Sequence, residues 1–556
     1  MTDVFSRRPP LVIKILSALK ILTMNPQKPH ATHVAIRDDI ILGAGSLEEL
    51  KGWGDYELDT QFADKVLMPG LVEGHCHLQE GALWSHTYVG FFDRMSPEGD
   101  MQAGCKNLDA VLSKLAAAEA KLDDPDDPLP AWSLDPIYFD NQRVDRAQLD
   151  TISTTRPIGI MHASGHIMNV NSKALELAGL MKLGINHEGV PLGNDGLPTG
   201  ELKGPDVMSP VSIHVGFDRD MLACDEQGMW RFGKLCVRAG VTTATDLAAR
   251  LPEDAVTLMH KVTGNTAYPA RIVPLRFHHG VSPEDLIKHV EALAPLSTEK
   301  LRLGRIKIVV DGSIQGFSAR LRAPGYYNGA PNGLWYIAPE QLAYILETSL
   351  AKGIQVHCHT NGDEATQLVI DTMRKALRKT PSSDHRFTLQ HCQLADTAQF
   401  RQIKELGLCV NLFANHHHYW GDQHYELTVG PERAERMNAA GTAAGLGVPF
   451  GIHSDAPITP LGPLFTGWCA MNRKTASGRT LGEAEKITLD QALYAITLGA
   501  AYTLHMDGEV GSIEAGKRAD FAVLEDDPEE MGVERLKDTR VWGTVLGGKP
   551  FAAANV

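Results

Sequence analysis

The chain is 556 residues long, with 43% hydrophobic and 22% charged residues, which suits two or three folded domains and excludes a disordered or low-complexity protein. Its 53 Lys and Arg against 68 Asp and Glu leave a net charge of −15, which argues against nucleic-acid or anionic-membrane partners and for a small-molecule substrate. Cys76, Cys358 and Cys392 stand beside histidines in apolar runs and the other cysteines are scattered singly, so all read as reduced thiols of a cytoplasmic protein.

Arg7-Arg8 followed by Leu11 to Met24 has the outline of a secretory leader, but Lys14 and Lys20 interrupt it and no small-residue cleavage site follows. No apolar run reaches the roughly 20 residues that span a bilayer. Val34 to Gly43 reads as two short strands around Asp38-Asp39, and Lys65 to Leu71 as another apolar stretch. At the far end Ala519 to Leu524 and Val541 to Leu546 are again β-type runs. Neither end has enough strands to stand alone, so residues 1–66 and 506–556 are expected to build one small β-sandwich together.

Residues 67–505 alternate short apolar runs with helix-period segments, the pattern of a parallel sheet wrapped by helices. Strands are expected at Val66 to Gly74, Val241 to Asp246, Arg271 to His278, Arg305 to Asp311, Ile354 to His359, Arg386 to His391, Leu408 to Phe413 and Val448 to Ser454. That number is the usual closure condition of a (β/α)8 TIM-like barrel of α/β class. His359 and His391 are one strand-helix unit apart and His391 and Asp455 two, but His77 and Val241 are separated by about five. A long insertion, about 80–235, therefore follows the first strand. Leu108, Val111, Leu112, Leu115 and Leu122 mark an amphipathic helix in it, ended by Asp123-Asp124-Pro125, and the insertion is expected to cap the barrel mouth.

In His75-Cys76-His77 the two imidazoles are at i and i+2, so in a strand both point to one face and can share a metal ion. A bare His-x-His is more often a solvated loop; the apolar run and the Pro69-Gly70 turn before it favour a strand end. Lys307 interrupts Arg305-Ile306-Lys307-Ile308-Val309-Val310, where desolvation would lower its pKa and a neutral amine could add carbon dioxide to become a bridging carbamate. By itself it could equally snorkel past the strand end to water. His357-Cys358-His359 repeats the i, i+2 pattern, with His359 nearer the mouth and His357 deeper. His391 ends the next strand, as a ligand or as a satisfied core histidine, and Asp455 ends the eighth, as a metal ligand and general base or as a helix cap.

Two histidines, then Lys, His, His and Asp, each at a different strand end, together with Met68-Pro69-Gly70-Leu71-Val72-Glu73-Gly74-His75-Cys76-His77, resemble the amidohydrolase superfamily and within it amidohydrolase family 3, the group of the N-substituted formamide deformylases. Further marks are Ser164-Gly165-His166 with Asn171-Ser172-Lys173-Ala174-Leu175, Asp311-Gly312-Ser313, His359-Thr360-Asn361-Gly362-Asp363, and Gly508 to Asp520. The resemblance covers essentially the whole chain. It implies two divalent ions, zinc first with manganese or iron as alternatives: His75 and His77 on one, His359 and His391 on the other, a carboxylated Lys307 bridging, and Asp455 as ligand and base. A metal-bound hydroxide would then attack the substrate carbonyl while Asp455 passes the proton to the leaving nitrogen. His166 and Asn171 become substrate-facing candidates by the same resemblance.

The chain departs from the family pattern after Asp311-Gly312-Ser313, where Ile314 to Arg320 replaces a stretch richer in glycine and serine; this makes the fourth loop and its Arg320 a candidate for specialisation. The run Asn415-His416-His417-His418-Tyr419-Trp420 is either a substrate-contacting loop, with His418 and Trp420 as candidates, or a polar surface turn. Trp84, Phe92, Trp132 and Tyr138 either line an apolar pocket or serve as core. The expected activity is hydrolysis of a non-peptide C–N bond, amide, formamide or cyclic amide, in a small substrate with aromatic ones included. An esterase, lactonase or deaminase on the same centre is the alternative, and a catalytically silent barrel acting as a binding protein the alternative of another class. A homodimer is the expected assembly, because closed symmetric oligomers are common.

Overall fold

Period-two alternation decides how the two chain ends fit together in the computed structural model, which describes residues 12–556. Leu67, Phe521 and Val523 point into a core shared with Leu16, Val34, Phe62 and Val545, whereas Val66, Met68, Ala522 and Leu524 point the other way, into the outer core of the barrel. The sheet they belong to has seven strands in the order Lys549–Ala552, Val541–Leu546, Phe521–Leu524, Tyr56–Pro69, Ile13–Leu22, His30–Arg37, Ile40–Gly45, so strands from both chain ends share one layer. It curls on itself. The Ile41 N–H donates to the Lys517 carbonyl at 2.8 Å and the Ala519 N–H to that of Asp39 at 2.7 Å, which ties one edge back to the segment entering Phe521–Leu524. Ile13–Leu22, within the leader-like run, lies inside this sheet, while Arg7-Arg8 lies outside the described residues.

The run expected as one strand from Val66 to Gly74 is two. Tyr56–Pro69 stays with the seven-stranded sheet, antiparallel to Phe521–Leu524, and the barrel begins at Leu71. The break is at Gly70, where a Cβ would stand 2.0 Å from Thr242 Oγ1, so the chain can cross between the two sheets only without a side chain.

The eight barrel strands are β1 (Leu71–Glu73), β2 (Val241–Ala249), β3 (Arg271–Phe277), β4 (Arg305–Val309), β5 (Val356–Thr360), β6 (Thr388–His391), β7 (Cys409–Leu412) and β8 (Phe450–Ile452), each parallel to the next. Just past the strand ends β8 and β1 meet as well: the Asp455 N–H donates to the His75 carbonyl at 3.1 Å and the His77 N–H to that of Ala456 at 2.7 Å. Ile306, Ile308, Val356, Cys358, Leu389, Val410 and Leu412 face the helices, so by alternation Lys307, His357, His359, Gln390 and Asn411 face the interior.

The insertion after β1 carries its own five-stranded sheet, in the order Glu201–Lys203, Ile167–Val170, Ile158–His162, Leu129–Leu134, Thr87–Tyr88. Its amphipathic helix spans Leu108–Glu119; Leu122 lies past the helix end and packs on the same cluster as Leu108, Val111 and Leu115. The insertion reaches the barrel mouth, where Trp420 Nε1 donates to Asp135 Oδ2 at 2.9 Å, Tyr138 Oη to the Tyr419 carbonyl at 2.7 Å and Arg94 Nη1 to the Pro457 carbonyl at 2.7 Å. Among the described residues no helix is long and apolar enough to cross a membrane.

At the opposite end of the barrel the fully buried Arg271, first residue of β3, donates to Asp520 Oδ2 at 2.9 Å and also to Glu299. It joins the barrel to the strand that starts at Phe521. Removing one partner of a buried ion pair leaves an uncompensated charge and costs about 3–5 kcal/mol. Arg271→Met is therefore expected to lower the urea midpoint of unfolding clearly; a midpoint equal to wild type would show that the two sheets are held together without this pair.

Candidate metal centre

His75 and His77 follow β1 directly, and Asp455 stands opposite them because of the backbone bonds that join β1 to β8. Asp455 Oδ1 is 3.2 Å from Nε2 of both histidines. The His391 ring lies between those of His75, at 4.5 Å between centroids, and His359, at 4.4 Å, and its Nδ1 is 3.9 Å from Asp455 Oδ2. Gln390 and His391 are neighbours on β6 and should face opposite ways, yet both face inward. The left-handed backbone at His391, with φ of 67°, breaks the alternation at the strand end, and Asp455 has the same conformation, with φ of 54°.

Below this layer a hydrogen-bonded chain fixes tautomers. His75 Nδ1 donates to Gln390 Oε1 at 2.7 Å, Gln390 Nε2 donates to His357 Nδ1 at 2.7 Å, and His357 Nε2 donates to the Thr503 carbonyl at 3.0 Å. His75 therefore carries its proton on Nδ1 and presents the Nε2 lone pair to Asp455 and His77, as a metal-binding imidazole must. His357, by contrast, has both nitrogens engaged. His359, at the mouth, has Nε2 within 3.1 Å of Asn361 Nδ2 and 3.5 Å of the Gly312 carbonyl. Lys307 Nζ is buried with no hydrogen-bond partner among the described residues, as are His391 Nδ1 and both nitrogens of His453.

Burial sets the protonation states. It pulls Lys307 down to about 7, with Asp455 pulling the other way, and lowers His75, His359, His391 and His453, so these imidazoles are neutral donors at neutral pH. Burial raises Asp455, partly offset by its contact with His77. Two compact donor groups result, His75 with His77 and Asp455, and His75 with His391 and His453; in each, one donor atom per residue lies within 4.8 Å of the others. Imidazoles with one carboxylate suit a divalent transition metal, and unpartnered buried atoms in this number fit a bound ion better than an apolar core. The sequence gives no signal for Gln390, which looks like any strand amide until its two long-range partners are seen. His453 stands two residues before Asp455, just past the end of β8.

Of the substrate-facing candidates, His166 sits on the turn between Ile158–His162 and Ile167–Val170, 6.0 Å from the Tyr336 ring and close enough to His359 to depress its pKa. Asn171 is buried inside the insertion, accepting from the Ile158 and Ala174 N–H groups and donating to the Ser153 and Arg156 carbonyls. Arg320 binds Glu364 and the Gly333 carbonyl and lies over the Trp335 ring. His418 meets the Lys474 carbonyl and packs on Phe465 and Trp468. Trp420 stacks on His416 at 4.6 Å, and Trp84 packs edge-on to Trp132 within the insertion. The structure thus brings His166 to the metal-side mouth and gives Asn171, Arg320, His418 and Trp84 partners elsewhere. Asp311 accepts the Asn361, Gly362 and Arg320 N–H groups, which locks the β4 and β5 loops together; a Cβ at Gly362 would stand 1.8 Å from the Arg320 carbonyl oxygen.

Residues 63–552 match the model of a family described as the amidohydrolase family. The chain is 26% identical to the Arabidopsis thaliana protein LONG AFTER FAR-RED 3 over 548 residues, covering 95% of this chain and 90% of that one. It is 24% identical to the N-substituted formamide deformylase of Arthrobacter pascens, with 95% and 96% covered. Among solved structures it resembles a metal-dependent hydrolase of Pyrococcus horikoshii with a TM-score of 0.70 at 19% identity, covering 93% of this chain and 98% of that one.

Glu73, beneath the centre, accepts from Ser454 Oγ at 2.8 Å and from the Ser454 N–H at 3.2 Å, and burial pushes its pKa up to about 8. A carboxyl whose folded pKa exceeds its unfolded value binds more protons when folded, so its contribution to stability is present below the unfolded pKa and fades as pH rises toward 8. In chelator-treated protein, Glu73→Gln should thus gain on wild type in melting temperature between pH 5 and pH 8. A difference that stays constant across that range would mean Glu73 is ionised throughout.

Proposed function

Because the chain belongs to the amidohydrolase family and is a metal-dependent hydrolase of that kind, we propose that it cleaves a non-peptide C–N bond, in an amide, formamide or cyclic amide, of a small substrate at the barrel mouth. The observation that carries this reading is the convergence of His75, His77, His391 and Asp455 on one space, with Lys307 unpartnered inside the same barrel. In this reading His75 and His77 would hold one divalent ion and His359 and His391 a second, with a carboxylated Lys307 and the carboxylate of Asp455 completing the set of donors. Zinc is the first choice for this donor set, with manganese or iron as alternatives. Such ions, when bound, polarise a carbonyl oxygen and make water a nucleophile near neutral pH.

The protein's own groups do the rest. Asp455 takes the proton of the attacking water and returns it to the leaving nitrogen; it stands beside His77, with Oδ1 3.2 Å from Nε2. His75, held in one tautomer by Gln390, cannot rotate away when the charge at the centre changes. His166 lies on the His359 side of the centre, with its ring 6.0 Å from that of Tyr336. The choice of a C–N bond over an ester rests on the formamide deformylase relative, whose name states that chemistry for that protein.

Purified protein is expected to hold about two transition-metal ions per chain by elemental analysis, and His77→Ala to lose metal and turnover together. Asp455→Asn keeps the shape but cannot accept a proton, so at matched metal content its rate on a panel of N-substituted formamides, amides and matching esters should fall by about 10²- to 10⁴-fold. A rate within a few-fold of wild type would assign the proton transfer elsewhere; a panel cleaved only at its esters would overturn the bond class. Lys307→Ala should be nearly inactive, and normal metal content with normal turnover in that variant would remove the carbamate from the scheme.

A further inference from the structure

The segment after β7 carries a second chain of buried imidazoles that has no place in the scheme above. His416 opens the helix His416–Gln423, and His424 and Thr428 are the first and last residues of the π-helical turn that follows, a kind of turn often found at functional sites. His424 Nε2 is 2.9 Å from His416 Nδ1, with the two ring planes 10° apart, and His424 Nδ1 is 2.7 Å from Thr428 Oγ1. All three residues are buried. The His416 ring also stacks on Trp420, at 4.6 Å between centroids, and packs against Phe413 at 4.9 Å. Phe413 is itself 5.7 Å from the His391 ring, so one phenyl group meets both His416 and a proposed metal ligand.

The direction of these hydrogen bonds can be worked out. Burial lowers the pKa of both imidazoles, that of His424 to about 3, so at neutral pH each carries a single proton. Either the Thr428 hydroxyl donates to His424 Nδ1 and His424 Nε2 donates to His416 Nδ1, or both bonds run the other way. Thr428 Oγ1 has no second partner among the described residues, so in the reverse arrangement its buried hydroxyl hydrogen would have no acceptor. The first arrangement avoids this, and it puts the proton of His416 on Nε2. That nitrogen lies on the far side of the ring from His424; it has no hydrogen bond among the described residues and is not sealed off as the nitrogens of His453 are.

We propose that His416 is a further catalytic residue whose Nε2–H donates a hydrogen bond to the acyl oxygen of the substrate, with His424 and Thr428 as positioning residues that hold the donor tautomer. The proposal rests on the C–N hydrolysis read above. As the water oxygen adds to the carbonyl carbon, the π electron pair moves onto the acyl oxygen, and the bond from Nε2–H strengthens with that charge. When the C–N bond breaks the pair returns to re-form the carbonyl. His416 keeps its proton throughout, and Asp455 alone moves protons. The acyl oxygen has two lone pairs, so this donor adds to the pull of the centre rather than replacing it.

The test uses the full chain as purified, with its metal. Neutron diffraction from deuterium-exchanged crystals should place deuterium on Nε2 of both His416 and His424; deuterium on Nδ1 of His416 overturns the inference without any variant or assay. His416→Phe keeps the stack on Trp420 and should lower kcat, on the amide or formamide that wild type cleaves fastest, by about 10²- to 10³-fold at unchanged metal content. A kcat within a few-fold of wild type overturns the inference and leaves the proposed function standing. Thr428→Val removes only the hydroxyl that sets the chain and should lower kcat with little change in KM, while Thr428→Ser should restore it. Equal kcat in the Val variant and wild type, or an equal fall in the Val and Ser variants, leaves Thr428 a packing role and overturns the positioning chain. Wild-type protein that cleaves no amide or formamide overturns the C–N reading itself, and the inference with it.

Discussion

Two backbone hydrogen bonds between the ends of β1 and β8, from Asp455 to His75 and from His77 to Ala456, set the geometry on which the centre depends. A barrel strand can present a side chain inward at every second residue, but it cannot choose what faces it across the seam. Closure does that. It brings the His-x-His pair near the start of the barrel domain to 3.2 Å from the carboxylate near its end. No local interaction could bring these groups together, so the centre exists only in the closed fold.

The interior behind that seam is polar where a barrel of this type is usually filled with Val, Ile and Leu. Its polar groups divide into two sets. Gln390 and His357 are engaged with each other, with His75 and with the Thr503 carbonyl, and they act as a rigid floor. Lys307, His391 and His453 have nitrogen atoms without partners among the described residues. A partly satisfied buried network is costly in a low-dielectric interior, and a cation bound among these donors would offset that cost.

Much of this is legible from sequence because it depends on periodicity. The i, i+2 pairs His75/His77 and His357/His359, the charged Lys307 between isoleucines and the order of strand ends all follow from the two-residue repeat of a strand and from repeated strand-helix spacing. The fold class and the long insertion come from the same source. What periodicity misreads are the places where the backbone departs from it. The left-handed turn at His391 brings Gln390 and His391 to one side, and the Gly70 crossover divides one apparent strand between two sheets. Loop residues are the least legible. Asn171 and Arg320 are polar residues in suggestive places, but their partners, the Ser153 and Arg156 carbonyls for one and Glu364 for the other, are set by long-range packing that a single sequence does not display.

The insertion does more than cover the mouth, because its first segment grips both sides of the seam. Glu80 follows His77 by one short turn, and its buried ion pair with Arg94, at 2.6 Å, anchors that arginine. Arg94 then donates to the carbonyls of Pro457, at 2.7 Å, and Thr459, at 3.3 Å, in the segment that follows Asp455. Thr459 in turn donates to the Ser454 carbonyl and accepts from Asn415 Nδ2 at 2.8 Å, which extends the contact to the end of β7. The ends of β1, β7 and β8 are thus bound into one unit by a side chain of the insertion. Aromatic contacts run parallel to it, from Phe92 to Tyr419 at 4.8 Å and from Tyr138 to Trp420 at 6.3 Å. A change in the insertion that shifts Arg94 therefore also bears on where Asp455 stands.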